Sequence, residues 1–144
     1  MHHTNLSNGK CHLCQTQNAI QNIETLQHLF FHCNVTKLII NELNTILKNS
    51  NMLIDTNINE INMILGFFGG SENDFVLNTV IFYSKWELWK IRNKIKYDKV
   101  RLQNAYILDI WKKNVKKSLT SLLGNKRNKT INKHILQNII DIMN

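Results

Sequence analysis

The sequence has no proline, few glycines, three cysteines and no long apolar run. Its longest apolar stretches are as short as Val80-Ile81-Phe82-Tyr83, far below the roughly 20 residues of a membrane-spanning helix. No membrane partner is therefore expected. The absence of proline accompanies abundant asparagine, isoleucine and lysine. AT-rich coding produces that composition, so the many asparagines are not read one by one as caps or ligands. The first ten residues are polar and no signal peptide is expected ahead of the cysteines. An odd number of cysteines without such a signal argues against a disulfide framework and for a reducing, intracellular setting, cytoplasm or nucleus. No glycine-rich phosphate loop or carboxylate pair stands out, which leaves an independent enzyme or a small-molecule substrate without support.

What is present suits one domain, or a small module joined to a helical one. The chain has 144 residues, of which 43% are hydrophobic, enough to build a core. Charge is divided unevenly along it. Residues 1–75 carry 3 basic and 6 acidic groups, a net −3, and residues 76–144 carry 15 and 4, a net +11. A basic half of this strength favours nucleic acid or another polyanion as partner, against the alternative of a solvated lysine-rich surface.

Helical periodicity runs through most of the sequence. Val35, Leu38, Ile39, Leu43, Ile46 and Leu47 recur at three- and four-residue steps, with Asn34 as a possible N-cap. Asn57-Ile58-Asn59-Glu60 has the form of a capping box, followed by Ile61, Ile64 and Leu65 and stopped by Gly66. Gly69-Gly70-Ser71 reads as a loop. A long helix from about Asp74 to Tyr97 shows an aliphatic face (Leu77, Val80, Ile81, Leu88, Ile91, Ile95) and an aromatic one (Phe82, Trp86, Trp89, Tyr97). Two apolar faces predict a helix sandwiched inside a bundle. Two more helices are expected, along Leu108, Trp111, Val115, Leu119 and Leu122 and along Ile131, Ile135, Ile139 and Ile142, with the basic loop 124–128 between them. The expected architecture is mainly α: a short N-terminal zinc-knuckle-like module over 1–34, a bundle over 35–123, and a basic loop with a C-terminal helix over 124–144, about four to five helices in all. A short hairpin around the cysteines is the one β feature expected.

All three cysteines lie in CHLCQTQNAIQNIETLQHLFFHC, residues 11–33. Cys11 and Cys14 have the C-x2-C spacing with which a tight turn aims two thiolates at one metal, and Cys33 offers a third. The fourth ligand of a tetrahedral zinc would be His28 or His32. His28 is preferred, because His32 adjoins Cys33 and both could reach one ion only through an awkward backbone. Four protein ligands would leave no open position, so the zinc would be structural. A thioredoxin-like pair lacks a surrounding βαβ pattern, and a Cys–His nucleophile lacks an evident third group or oxyanion site.

Glu24-Thr25-Leu26-Gln27-His28-Leu29-Phe30-Phe31-His32-Cys33 resembles the ET-x-x-HLF-x-x-C signature of the zinc-binding region C-terminal to the reverse transcriptases of non-LTR (LINE-like) retrotransposons. Cys11 and Cys14 supply the C-x2-C half of that pattern. Lys85-Trp86-Glu87-Leu88-Trp89-Lys90-Ile91-Arg92-Asn93 is similar to the W-x-x-R-N helix that follows it in the family. The resemblance covers about residues 9–99. It implies Cys11, Cys14, His28 and Cys33 as ligands to one Zn2+, and a parent polypeptide that contacts template RNA or target DNA through this region. It also implies a detached part of a retroelement polyprotein, non-catalytic in itself, since no polymerase or endonuclease domain lies in these residues. Thr25 would cap the short helix carrying His28.

Three basic clusters would meet the nucleic-acid backbone: Lys85, Arg92, Lys96 and Lys99; Lys112, Lys113, Lys116 and Lys117; and Lys126, Arg127 and Lys129. Trp86 and Trp89 could stack on bases, but two tryptophans at this spacing are more often packing. Arg92 and Asn93 could instead lock neighbouring helices. The alternative function is a zinc-organised protein-interaction module docking on a polymerase or ribonucleoprotein.

Overall fold

A computed structural model describes residues 9–14, 23–53, 55–127 and 131–144. A short π-helical turn, His28–His32, precedes five α-helices: α1 (Asn34–Asn49), α2 (Glu60–Leu65), α3 (Glu72–Asp98), α4 (Asn104–Leu123) and α5 (Lys133–Ile142). The chain is mainly α, and no strand forms among the described residues. An antiparallel bridge between Lys10 and Ile23 is all that these residues contain of the expected hairpin. The Glu24 amide closes it by donating to the Gly9 carbonyl at 2.6 Å.

The helix starts follow local side-chain chemistry. Asn59 and Asn62 form a reciprocal capping box at the start of α2, and Ser71 and Asp74 do the same for α3. The expected cap of α1 shifts by one residue. Cys33, with extended backbone, occupies the cap position and Asn34 is already helical. α2 ends at Gly66, whose φ of 92° favours glycine. A Cβ there would also meet the Asn78 side-chain oxygen at 2.7 Å. That oxygen accepts from the Phe67 amide while the Asn78 amide donates to the Phe67 carbonyl at 2.9 Å, tying the loop to α3.

One contiguous core runs from Cys11, Leu13 and Leu29 through α1, α3 and α4 to Met143. α3 packs on α4, α4 on α5, and α1 on α4, α5 and the π-helical turn. The aliphatic face of α3 is buried as expected. Its aromatic face is not: Phe82, Trp86, Trp89 and Tyr97 are all exposed. Among the described residues, α3 is thus a two-sided helix covered on its aliphatic side, not a helix sandwiched inside the bundle. Smaller shifts occur elsewhere. Ile61 and Leu65 are exposed while Met63 is buried, and in α5 Leu136, Ile139 and Ile140 point inward while Ile142 lies outside. A six-residue helix has too few turns for periodicity to fix its inner face.

Trp111 is completely buried, yet its indole Nε1 has no hydrogen-bond partner among the described residues. Trp111→Phe relieves a stranded donor worth about 1–3 kcal/mol while losing part of the ring's packing. The two effects oppose each other. Urea denaturation should place this variant within about 2 kcal/mol of the parent protein.

Candidate metal centre and basic surface

The cluster is assembled by three local devices. Cys11 and Cys14 sit on a turn directly after the Lys10–Ile23 bridge. Thr25 caps the next turn, its Oγ1 accepting from the His28 amide at 3.0 Å, as expected of that residue. The π-helical winding then carries the chain from His28 to Cys33, whose amide donates to the His28 carbonyl at 2.7 Å. Buried Thr36 fixes the turn to α1 by donating its hydroxyl to the Leu29 carbonyl.

These devices bring Cys11, Cys14, His28 and Cys33 together, with one ligand atom from each and all four atoms within 4.8 Å of one another. Cys11 Sγ lies 3.9 Å from Cys33 Sγ, and Cys14 Sγ lies 3.4 Å from His28 Nε2. A tetrahedral ion with Zn–S near 2.3 Å and Zn–N near 2.05 Å has edges of about 3.8 Å between sulfurs and about 3.5 Å from sulfur to nitrogen. Those two separations match tetrahedral edges, and the set as a whole is close enough to hold a metal ion. Cys11 and Cys33 are buried and His28 nearly so.

The electrostatics favour the metal-binding form at Cys33 and His28 and oppose it at Cys11. The Cys11 thiol donates to the Cys33 sulfur, and this contact with burial pushes the Cys11 thiol far above its ordinary value. The same contact pulls Cys33 down against the opposing effect of burial. Backbone amides of Leu13 and Cys14 donate to the Cys11 sulfur, and those of Val35 and Thr36 to the Cys33 sulfur, each favouring the thiolate. Burial lowers the pKa of His28 and so favours the neutral ring a metal requires. His32 is turned outward, with Nε2 3.3 Å from a Glu60 carboxylate oxygen and half of its side chain in solvent. His28 is therefore the residue the fold brings to the cysteines.

The basic residues fare less uniformly. Arg92 is only 5% exposed. It binds Glu24 in a bidentate pair, with Nε 3.0 Å from Oε2, and its Nη1 donates to Asn93 Oδ1. It locks the bridge segment before the π-helical turn onto α3 and is not available to a phosphate. Lys85 is half-buried, with its ammonium 3.4 Å from the Ile64 carbonyl and over the Phe30 ring, and burial lowers its pKa. Lys112 pairs with Glu42 at 2.8 Å, and Lys96 lies over the Tyr97 ring. Lys99, Lys113, Lys117, Lys126 and Arg127 are exposed and Lys116 is half-buried. Lys129 lies outside the described residues. Lys113 and Lys117 share one side of α4, and Lys112 and Lys116 lie about 100° further round. Four lysines in a row in register are thus two pairs in space.

Sequence reasoning named neither Glu24 nor Glu42 as an ion-pair partner. They lie 68 and 70 residues from Arg92 and Lys112, and no local pattern signals such a pairing. Comparison with protein-family models, with curated proteins and with solved structures gives no match.

Between α3 and α4 runs a polar cleft of about 480 Å³, lined by Tyr83, Glu87, Lys90, Lys117 and Ser118 among others. Glu87 is buried at its base and is neutralised by Lys90 at 2.5 Å. No helix among the described residues is long and apolar enough to cross a membrane.

Proposed function

We propose that the chain is a non-catalytic module, stabilised by one structural zinc ion on Cys11, Cys14, His28 and Cys33, that binds the backbone of RNA or DNA. A closed four-ligand cluster beside a half of the chain carrying net +11 carries this reading. Zinc bound there would supply no open coordination position and hence no chemistry. Its role would be to hold the turn, the bridge and the start of α1 together. The resemblance of residues 9–99 to the zinc-binding region of non-LTR retrotransposon reverse transcriptases supports the same reading, with an intracellular setting and the rest of such a polyprotein as a natural companion.

The phosphate contacts are assigned to the exposed cations Lys99, Lys113, Lys117, Lys126 and Arg127, with Lys96 and Lys116 at their edges. Arg92, Lys85 and Lys112 are assigned structural roles. Binding should weaken steeply with salt, the slope of log K against log salt falling by about 0.7–0.9 for each phosphate contact removed. Changing Lys113, Lys117, Lys126 and Arg127 to Gln should lower that slope by about 3 and leave the circular dichroism spectrum unaltered. An unchanged slope would remove these residues from the binding face.

The second reading, an apolar docking module, is favoured by Ile61, Leu65 and Phe68, exposed at 60%, 66% and 75% on and just after α2. Partner binding insensitive to salt would mark it.

A further inference from the structure

The aromatic side of α3 is unaccounted for by the core, the metal centre and the exposed cations. Phe75, Phe82, Trp86 and Trp89 are 48%, 59%, 50% and 38% exposed. At about 100° per residue they fall within an arc of roughly 60°. They are a stripe, not scattered surface residues. Along the axis Phe82 and Trp86 are about 6 Å apart, and Trp86 and Trp89 about 4.5 Å.

The charge beside the stripe identifies its occupant. Between Phe75 and Tyr97 the helix carries five cations and one acid. That acid, Glu87, is 2% exposed and bound by Lys90 in the cleft toward α4. Helical spacing puts Lys96 along one edge of the stripe and Lys94 along the other, while Lys85 is held on the Ile64 carbonyl and Lys90 on Glu87. Arg92 lies 5.2 Å from the Trp89 ring and is itself held by Glu24, which fixes the end of the stripe.

Flat apolar rings between cationic edges suit a polyanion that also offers flat faces. A duplex would use the cations and leave the rings idle. An apolar peptide would cover the rings and desolvate the cations without partners. We infer that the Phe82–Trp86–Trp89 stripe of α3 is a stacking platform for the unpaired bases of a single-stranded nucleic acid, with Lys94 and Lys96 on its two edges meeting the phosphates. This inference rests on the nucleic-acid reading above and adds to it the strandedness of the ligand.

The test uses the full zinc-loaded chain, short oligo(dT) and oligo(U), and a duplex of matched length, followed by tryptophan emission. Trp111 is fully buried and serves as an internal reference. Single strands should quench the red-shifted emission of Trp86 and Trp89 and spare the blue-shifted part from Trp111. Trp86→Ala should weaken single-strand binding by about 5- to 150-fold, the loss of one stacked base. It should leave duplex binding nearly unchanged, and Trp86→Tyr should restore most of the loss. Both positions are exposed, so folding is not at risk.

Salt-dependent binding with no quenching and no effect of Trp86→Ala or Phe82→Ala would overturn the platform and leave the phosphate-binding reading standing. No binding of any nucleic acid at low salt would overturn both. If Trp86→Ala instead abolishes self-association or binding to anionic vesicles and leaves oligonucleotide affinity unaltered, the stripe serves that surface and the platform is wrong.

Discussion

Stripping the metal from the zinc-loaded protein with a strong chelator should lower its stability by at least about 4 kcal/mol, the linkage expected for free metal at a thousand times its Kd. For a chain of this size that corresponds to a fall in Tm on the order of 10–20 °C. The loss should be local first. A metal on the four donors would hold together the 9–14 turn, the Lys10–Ile23 bridge and the start of α1, whereas α3, α4 and α5 pack on one another without them. Amide exchange should therefore accelerate in residues 9–14 and 23–36 before it does in α4. Acid should act in the same direction as the chelator, because thiolates and a neutral imidazole are the binding forms. His28 contributes even without metal. Burial holds its folded pKa below the ordinary 6.5, so the unfolded chain takes up its proton first. The contribution is fully present above pH 6.5 and is lost as pH falls through the depressed folded value.

Glu24→Ala should be the most damaging single substitution outside the metal ligands and the hydrophobic core. Glu24 and Arg92 are 15% and 6% exposed in their side chains. Among the described residues, removing the carboxylate leaves a guanidinium buried against α3 with the Asn93 side chain and the Trp89 ring beside it. Breaking a buried pair from one side costs about 3–5 kcal/mol. Arg92→Met with Glu24→Leu, which removes both charges and keeps volume, should recover most of that loss. Urea denaturation of the two single variants and the double variant closes the cycle. Because Arg92 is a lock and not a phosphate contact, Arg92→Met should leave the salt slope of oligonucleotide binding unchanged once stability is restored.

The metal cluster was legible because its signal is chemical and short-range. C-x2-C names two donors, and thiols occur nowhere else in the chain. His28 could be preferred over His32 on backbone grounds alone, and the outward turn of His32 toward Glu60 agrees. Helix positions were legible for the same reason, since Asn59, Gly66 and Ser71 punctuate the chain locally. Which face each helix buries was less so. Periodicity shows that α3 has two apolar sides but not that only one has a neighbour. Trp86 and Trp89 were accordingly read as packing, and they stand in solvent. Likewise, a row of lysines carries no mark of which members meet a distant carboxylate. Arg92 and Lys112 looked available until Glu24 and Glu42 came beside them from some 70 residues away.

The most direct test is cobalt(II) titration of the reduced protein, read by its visible spectrum and by competition with zinc. The account predicts intense d–d absorption and thiolate charge-transfer bands at one equivalent, displaced by zinc. They should be lost in Cys14→Ser and His28→Ala and kept in His32→Ala. A weak octahedral spectrum, or a tetrahedral one that survives His28→Ala and vanishes with His32→Ala, would contradict the four-ligand centre on which the rest depends.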